Sequence, residues 1–300
     1  EAGLDEAIHQ GQLLALELQI EVRDGAPRAA VHQQHPLTVW QKGTEGSAAV
    51  LLVHGRTWST VPDFDLQLEG EELSLMDGLV EAGFITYGVD LRGYGATPRD
   101  PSGWNRPGRA ADDVAEVLAW LRTRHPDMPV HAFGWSLGSM VSQLAAQRHP
   151  DRVDRLVLFG YPHRPGVERP LQEPEGSPPM EPTTAEAAAS DFITPGSISD
   201  RAIAAYVEAS LAADPIRTDW TGGHEWNELS PERVTVPTLI LQGEHDPLSP
   251  SASQAALFDG LATPDKAWVV VPGGDHAAFL EAPRSYFLGV MTAFLRAGGR

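Results

Sequence analysis

From residue 48 onward, six short apolar runs alternate with stretches whose apolar residues fall at helical spacing. The runs are AAVLLVHG (48–55), FITYGVDLRG (84–93), PVHAFGWS (129–136), RLVLFG (155–160), PTLILQGEHD (237–246) and AWVVVPGGDH (267–276). A strand that is apolar at every position has no face to offer water, so it must be covered on both sides. That requires a parallel sheet whose crossover helices lie above and below it. Two earlier segments, LLALELQIEV (13–22) and PLTVWQKG (36–43), alternate apolar and polar residues as an antiparallel edge does. About eight strands are therefore expected. Between them, Val114, Val117, Leu118 and Leu121 stand at i, i+3, i+4 and i+7 after a Pro-Gly start, and His125-Pro126 closes that helix. Leu73, Met76, Leu79 and Val80, ending at Gly83, form a second stripe; Phe287, Val290, Met291, Phe294 and Leu295 form a third. The fold class is α/β, a mostly parallel sheet with helices on both faces.

This rhythm stops between about 161 and 232, where roughly 70 residues separate two strands that one helix would normally join. The first part, YPHRPGVERPLQEPEGSPPMEP, holds seven prolines and should run extended over the surface, as a solvated linker or as a lid that lines a substrate. Helices should follow. Thr183 with Glu186 matches a capping box, and Ser199 precedes Ile203, Tyr206, Val207 and Leu211 at helical spacing until Asp214-Pro215 ends the run. The expected organisation is a core from 1–160 and 233–300 with a helical cap, 161–232, inserted over the strand ends.

Composition narrows the chemistry. The absence of cysteine removes disulfides, thiolate zinc sites, iron–sulfur clusters and cysteine nucleophiles together. A net charge of −19 repels phosphate backbones and anionic lipid surfaces, so neither nucleic acid nor a membrane is an expected partner. No apolar run approaches the roughly 20 residues that cross a bilayer, and EAGLDEAIHQ at the start reads as neither leader nor anchor. A soluble protein is expected, of the cytoplasm rather than secreted, although zero cysteines suit both compartments and an N-terminus without Met leaves prior removal of a leader open. Oligomeric state is open too. No HExxH or comparable spacing exists, and neither metal nor cofactor is expected.

The sharpest local signal is Gly134-Trp135-Ser136-Leu137-Gly138, a GxSxG that directly follows an apolar run and opens a helix-like segment. A serine displayed on a tight strand-to-helix turn needs small residues two positions away on each side. The helix that follows offers unpaired N–H groups and a positive dipole end to an oxyanion, with the Leu137 N–H as first donor. Serine at its free pKa is a weak nucleophile, so a histidine base and a carboxylate are required as well. Asp246 ends the next-to-last strand segment, and His276 ends the last, 30 residues on. Glu244 and Asp275 are rival acids, and His245 is the rival base. The histidines at 9, 32, 35, 125, 149 and 224 lie in polar stretches without a strand end beside them. The order Ser136, Asp246, His276 differs from the chymotrypsin and subtilisin orders. The turn after LLVHG supplies a second oxyanion donor in the Arg56 N–H, with His54 organising that loop structurally.

His54-Gly55, Asp90-Leu91-Arg92-Gly93-Tyr94-Gly95, the GxSxG, Gly243-Glu244-His245-Asp246 and Gly274-Asp275-His276 together resemble the α/β-hydrolase superfamily over about 48–297. The resemblance implies Ser136 as nucleophile, Asp246 as acid, His276 as base, the Leu137 and Arg56 amides as oxyanion hole, and a cap after the sixth strand. Epoxide hydrolases and dehalogenases of that superfamily carry aspartate where this chain has Ser136. Arg92 reads as a structural tie between loops. Arginine at 56 departs from the small or apolar residue the family often has there; its side chain is expected to pair with Asp63 or Asp65 rather than to attract an anionic substrate. Trp135, Tyr161 and Tyr206 are candidate substrate contacts, with Trp220 and Trp226 also available. The expected function is hydrolysis of a carboxylic ester or lactone of a small to medium, largely apolar molecule. Amide hydrolysis, C–C cleavage and acyl transfer use the same residues, and a small-ligand receptor with a vestigial triad is the alternative from a different class.

Overall fold

The computed structural model describes residues 12–22, 33–171, 173 and 176–297. The N-terminal segment 1–11, His9 and His32 lie outside the described residues. Eight strands form one sheet: β1 (Leu14–Val22), β2 (Gln33–Lys42), β3 (Ala49–Val53), β4 (Ile85–Val89), β5 (Val130–Trp135), β6 (Arg155–Phe159), β7 (Thr238–Gly243) and β8 (Lys266–Val271). Their spatial order is β1-β2-β4-β3-β5-β6-β7-β8. The six apolar runs pair in parallel, while β2 runs antiparallel to both β1 and β4.

Side chains on β3 show why both faces need cover. Ala49, Leu51 and Val53 pack into one apolar core, and Val50 and Leu52 into the other. Helices α3 (Pro107–Arg124) and α4 (Leu137–Arg148) close the first; α2 (Leu75–Glu81) and α8 (Arg284–Arg296) close the second. The stripe Val114, Val117, Leu118 and Leu121 is fully buried, as its spacing predicts. Leu73 is buried too but precedes α2, whose N-cap Ser74 accepts the Asp77 N–H. The strand β8 departs from expectation. It is the sheet edge, only partly covered, with Val270 41% exposed, because among the described residues no further strand pairs along its outer side.

The segment between β6 and β7 carries α5 (Ala185–Ala189) and α6 (Asp200–Ala213). Its proline-rich start forms neither helix nor strand among the described residues, and Val167, Leu171 and Met180 stand exposed there. The capping residue of α5 is Thr184, which accepts the Ala187 N–H; the neighbouring Thr183 instead donates its hydroxyl to the Asp214 carbonyl. The capping-box reading was thus one residue out of register. Ser199 caps α6 by accepting the Ala202 N–H, and Asp214 ends it. The Asp214 carboxylate then accepts the Ser59 and Gly95 N–H groups, tying this segment to loops at the carboxyl ends of β3 and β4. A helix α1 (Thr60–Phe64) follows β3, and α7 (Ser251–Gly260) follows β7. Among the described residues no helix is long and apolar enough to cross a membrane.

Candidate active site

Ser136 sits between the last residue of β5 and the first of α4, at φ 53° and ψ −118°. Only one other described non-glycine residue, Met180, has a positive φ. Such a backbone persists when its surroundings over-determine it. Here the Ser136 N–H donates to the Phe159 carbonyl on β6, and the Ser136 carbonyl accepts the Ser139 N–H. The flanking glycines are required by contact. A Cβ at Gly134 would lie 2.3 Å from the Gly138 carbonyl oxygen, and one at Gly138 would lie 2.1 Å from that of Val53.

The imidazole of His276 lies with Nδ1 2.8 Å from Asp246 Oδ2. Because the carboxylate accepts that proton, Nε2 is left as the basic nitrogen. Asp246 also accepts the Ser249 hydroxyl at 2.6 Å and the Leu248 N–H at 2.8 Å. Burial opposes its charge, yet the His276 imidazole and these two donors outweigh burial and hold its pKa below the ordinary carboxylate value. The rivals fall away on position. Glu244 and His245 have half-exposed side chains, and Glu244 accepts the Gly273 N–H. Asp275 is fully buried but accepts the Ile193, Thr194 and Ala277 N–H groups, which fastens the turn after α5.

Trp135 is a hinge of this arrangement. Its Nε1 donates to the His276 carbonyl at 2.6 Å, and its ring centroid stands 5.6 Å from the imidazole. Gly160, at φ 58°, leaves room beside it: a Cβ there would come within 2.9 Å of His276 Cε1. Sequence reasoning passed over Gly160 and Ser249. The only trace of either was its place next to a strand end or the acid.

His54 is wholly buried and neutral, its pKa lowered to about 4 by burial. Its Nδ1 lies 2.8 Å from the Gly55 carbonyl, and its Nε2 accepts the Leu91 N–H at 3.0 Å. The Gly55 carbonyl and the Arg56 N–H belong to one trans peptide and point in opposite directions, so the bond to His54 turns the Arg56 N–H the other way. Among the described residues neither the Arg56 nor the Leu137 N–H donates to a protein group. Arg92 is structural as expected: buried, bidentate to Asp113 and bonded to Asp100.

Gly55, Arg56, Trp135, Ser136, Leu137 and His276 line one cavity of about 450 Å³. Trp58, Met140, Leu248, Trp220 and Trp226 give it apolar walls, the last two stacked at 6.4 Å. The segment between β6 and β7 contributes Pro162, Arg169 and Asp191 besides the two tryptophans. Two expectations need correction. Tyr161 and Tyr206 are fully buried and neither lines the cavity, because Tyr161 packs into the first apolar core and Tyr206 into the second, beside Phe192. Tyr206 instead donates to Asp63 at 2.9 Å and lies 3.2 Å from Asp191, so its hydroxyl sits between two carboxylates at the cavity wall. Burial, and then the charge of Asp191, pushes the Asp63 pKa well up, which favours the protonated acid. The Arg56 side chain does not pair with Asp63 or Asp65. Asp63 is taken by Tyr206 and the Gly55 N–H, and Asp65 by Lys42, Ser74 and Gln67. Among the described residues no group of three or more His, Asp or Glu is placed to hold a metal ion.

A family model described as serine aminopeptidase, S33, matches residues 44–283. The monoacylglycerol lipase of Mycolicibacterium smegmatis is 23% identical over 272 residues, which is 86% of this chain and 91% of that protein. A pimeloyl-[acyl-carrier protein] methyl ester esterase of Chromobacterium violaceum is 41% identical over 75 residues, 25% of this chain; the match spans 26% of that relative's length. Among solved structures, a monoacylglycerol lipase of Paleococcus ferrophilus superposes with a TM-score of 0.61 at 23% identity, covering 86% of this chain and 98% of that one. A thermophilic esterase from Thermogutta terrifontis superposes with a TM-score of 0.62 at 20% identity, covering 94% and 98%. Both share this fold.

Proposed function

Because the chain belongs to the serine aminopeptidase S33 family of α/β hydrolases, we propose that it cleaves a carboxylic ester or lactone of a small to medium, largely apolar molecule through an acyl-enzyme on Ser136. One observation carries the reading: a serine on a strained strand-to-helix turn and an imidazole oriented by a buried carboxylate line the same cavity. In this mechanism Ser136 Oγ attacks the carbonyl carbon while His276 Nε2 takes its proton. The Leu137 and Arg56 N–H groups stabilise the oxyanion, and Asp246 stabilises the imidazolium. The proton then passes to the leaving alkoxide. Water, deprotonated by His276, attacks the acyl-enzyme and releases the carboxylic acid and free Ser136. In the same reading, 161–232 acts as a cap over a core formed by 1–160 and 233–300, and its two tryptophans hold the apolar part of the substrate.

The relatives named above as a lipase and an esterase support ester cleavage; the description of the family model supports an amide as the second reading. Hydrolysis of a chain-length series of p-nitrophenyl esters beside lactones and aryl amides decides between them. Replacing Ser136 by Ala should remove turnover by about a thousandfold or more and leave thermal stability nearly unchanged. An organophosphonate that modifies active serines should label the wild-type chain and not that variant. Undiminished turnover after Ser136→Ala would end the proposal, and absence of labelling would point to a ligand-binding protein.

A further inference from the structure

The chain holds 41 acidic and 22 basic residues, so an arginine on its surface finds a carboxylate easily. Arg106, Arg148 and Arg152, all partly exposed, do. Arg56 and Arg169 both line the cavity of Ser136 and His276, and among the described residues neither guanidinium has an ion pair or a hydrogen bond. Their backbones are nevertheless held. Asn227 accepts the Arg169 N–H and donates to the Arg169 carbonyl, each at 2.8 Å. The Tyr94 hydroxyl donates to the Arg56 carbonyl and accepts Trp220 Nε1. Two segments far apart in the chain thus bring two uncompensated cations to one cavity. Partial burial and the nearby charge of Arg56 lower the Arg169 pKa, so the two cations repel one another.

We propose that Arg56 and Arg169 together bind an anionic group, a carboxylate or a phosphate, carried at the end of the ester substrate away from its reactive carbonyl. The inference rests on the ester-hydrolase reading of this cavity and names its substrate class. Guanidinium groups suit such anions because their planar donors match two oxygens at once. The rest of the cavity sets the direction. Asp63 and Asp191, also on its walls, have their oxygens engaged by the Gly55 N–H, Trp58 Nε1 and Tyr206, and burial raises the pKa of both. The donors of that wall, the Gly55 N–H, Trp58 Nε1 and the Tyr206 hydroxyl, are thus already spent on these two carboxyls, and an anion is drawn to the arginine wall instead. The apolar middle of the substrate would then lie along Trp220, Trp226 and Met140.

The test uses three p-nitrophenyl esters of matched length: the hemi-ester of glutaric acid, its neutral methyl-capped counterpart, and one ending in a phosphate. At low ionic strength, kcat/KM for the carboxylate ester should exceed that for the neutral ester by about tenfold. Added salt should shrink the ratio. Arg169→Gln and Arg56→Gln should each lower the ratio severalfold, and Arg169→Lys should restore part of it. A larger ratio for the phosphate ester identifies phosphate as the anion, and the reverse identifies carboxylate. A ratio at or below one in the wild type, or one unmoved by both glutamine variants, overturns the inference while turnover of the neutral ester leaves the hydrolase reading standing. If no ester is cleaved, titration calorimetry with glutarate and with inorganic phosphate decides. Binding that is lost in the Arg56→Gln/Arg169→Gln protein upholds the anion site, and no binding refutes it.

Discussion

The sheet has a cavity at each end, and the two share several residue types but differ in how those residues are held. At the carboxyl end, about 450 Å³ is lined by Ser136, His276, two arginines and six tryptophan and leucine side chains that include Trp135 and Leu137. At the amino end, about 570 Å³ is lined by Ser47, Phe84, His131, Asp154, Arg155 and Leu295 among others. The larger has a histidine, a carboxylate and a serine as well. Its His131, however, is buried with Nδ1 unpartnered among the described residues, and Ser47 donates to the Gly83 carbonyl. Among the described residues no strained turn presents a hydroxyl there. The difference follows from strand direction: in parallel β3 to β8 every strand delivers its loop and the following helix N-terminus to the same end. Chemistry collects where the loops converge, and volume alone does not attract it.

That contrast can be broken at several points. The largest effect after loss of Ser136 is expected from Asp246→Asn, which keeps the shape of the Asp246–His276 pair but removes the charge and turns the imidazole tautomer. We expect kcat/KM to fall by about a hundred- to ten-thousandfold with little change in stability, measured by ester hydrolysis and thermal unfolding. A fall of less than tenfold would make Asp246 merely a packing partner. A smaller effect is expected from Trp135→Phe, which leaves the buried His276 carbonyl without its donor. About 1 to 3 kcal/mol of stability and roughly tenfold in kcat should be lost, read by denaturant titration and initial rates. An unchanged kcat would detach Trp135 from the placement of His276.

The smallest effect on rate belongs to the other end of the sheet. His131→Leu should leave ester turnover at neutral pH within about twofold, since the residue lies far from the loops that build the site. Its signature is in stability. Burial lowers the His131 pKa from 6.5 to about 4, so the folded chain binds a proton less readily than the unfolded one. The contribution is therefore complete above pH 6.5 and is lost as pH falls from 6.5 towards 4, by at most about 3 kcal/mol. Denaturant titrations across that window should show a flatter acid limb for the leucine variant than for the wild type. Parallel limbs would contradict the assignment of a neutral, buried imidazole.

How much of this was legible before folding depends on the range of each signal. The strands β3 to β7, Ser136 with its two glycines, and the stripe on α3 rest on local spacing, and they appear where spacing puts them. Asp246 and His276 were narrowed by strand-end position but competed with Glu244, His245 and Asp275. Only exposure and hydrogen bonding separate them, since two of those rivals face solvent and the third is consumed by the turn after α5. The register of the α5 cap missed by one residue because Thr183 and Thr184 are chemically equivalent until one of them meets the Asp214 carbonyl.

Tyr161, Tyr206 and Arg56 show the limit more plainly. An aromatic ring between two strands reads equally well as packing or as substrate wall, and its fate depends on what stacks over it. An arginine near two aspartates reads as an ion pair until Tyr206 and Lys42, distant in the chain, claim both acids. Periodicity and backbone requirements of single residues, which act between neighbours, were settled by the amino-acid order itself: the α/β class, the parallel runs and the turn that displays Ser136. Which polar group meets which partner was left to the tertiary structure, because hydrogen bonds and charges in a buried site are rationed among groups brought together from every part of the chain.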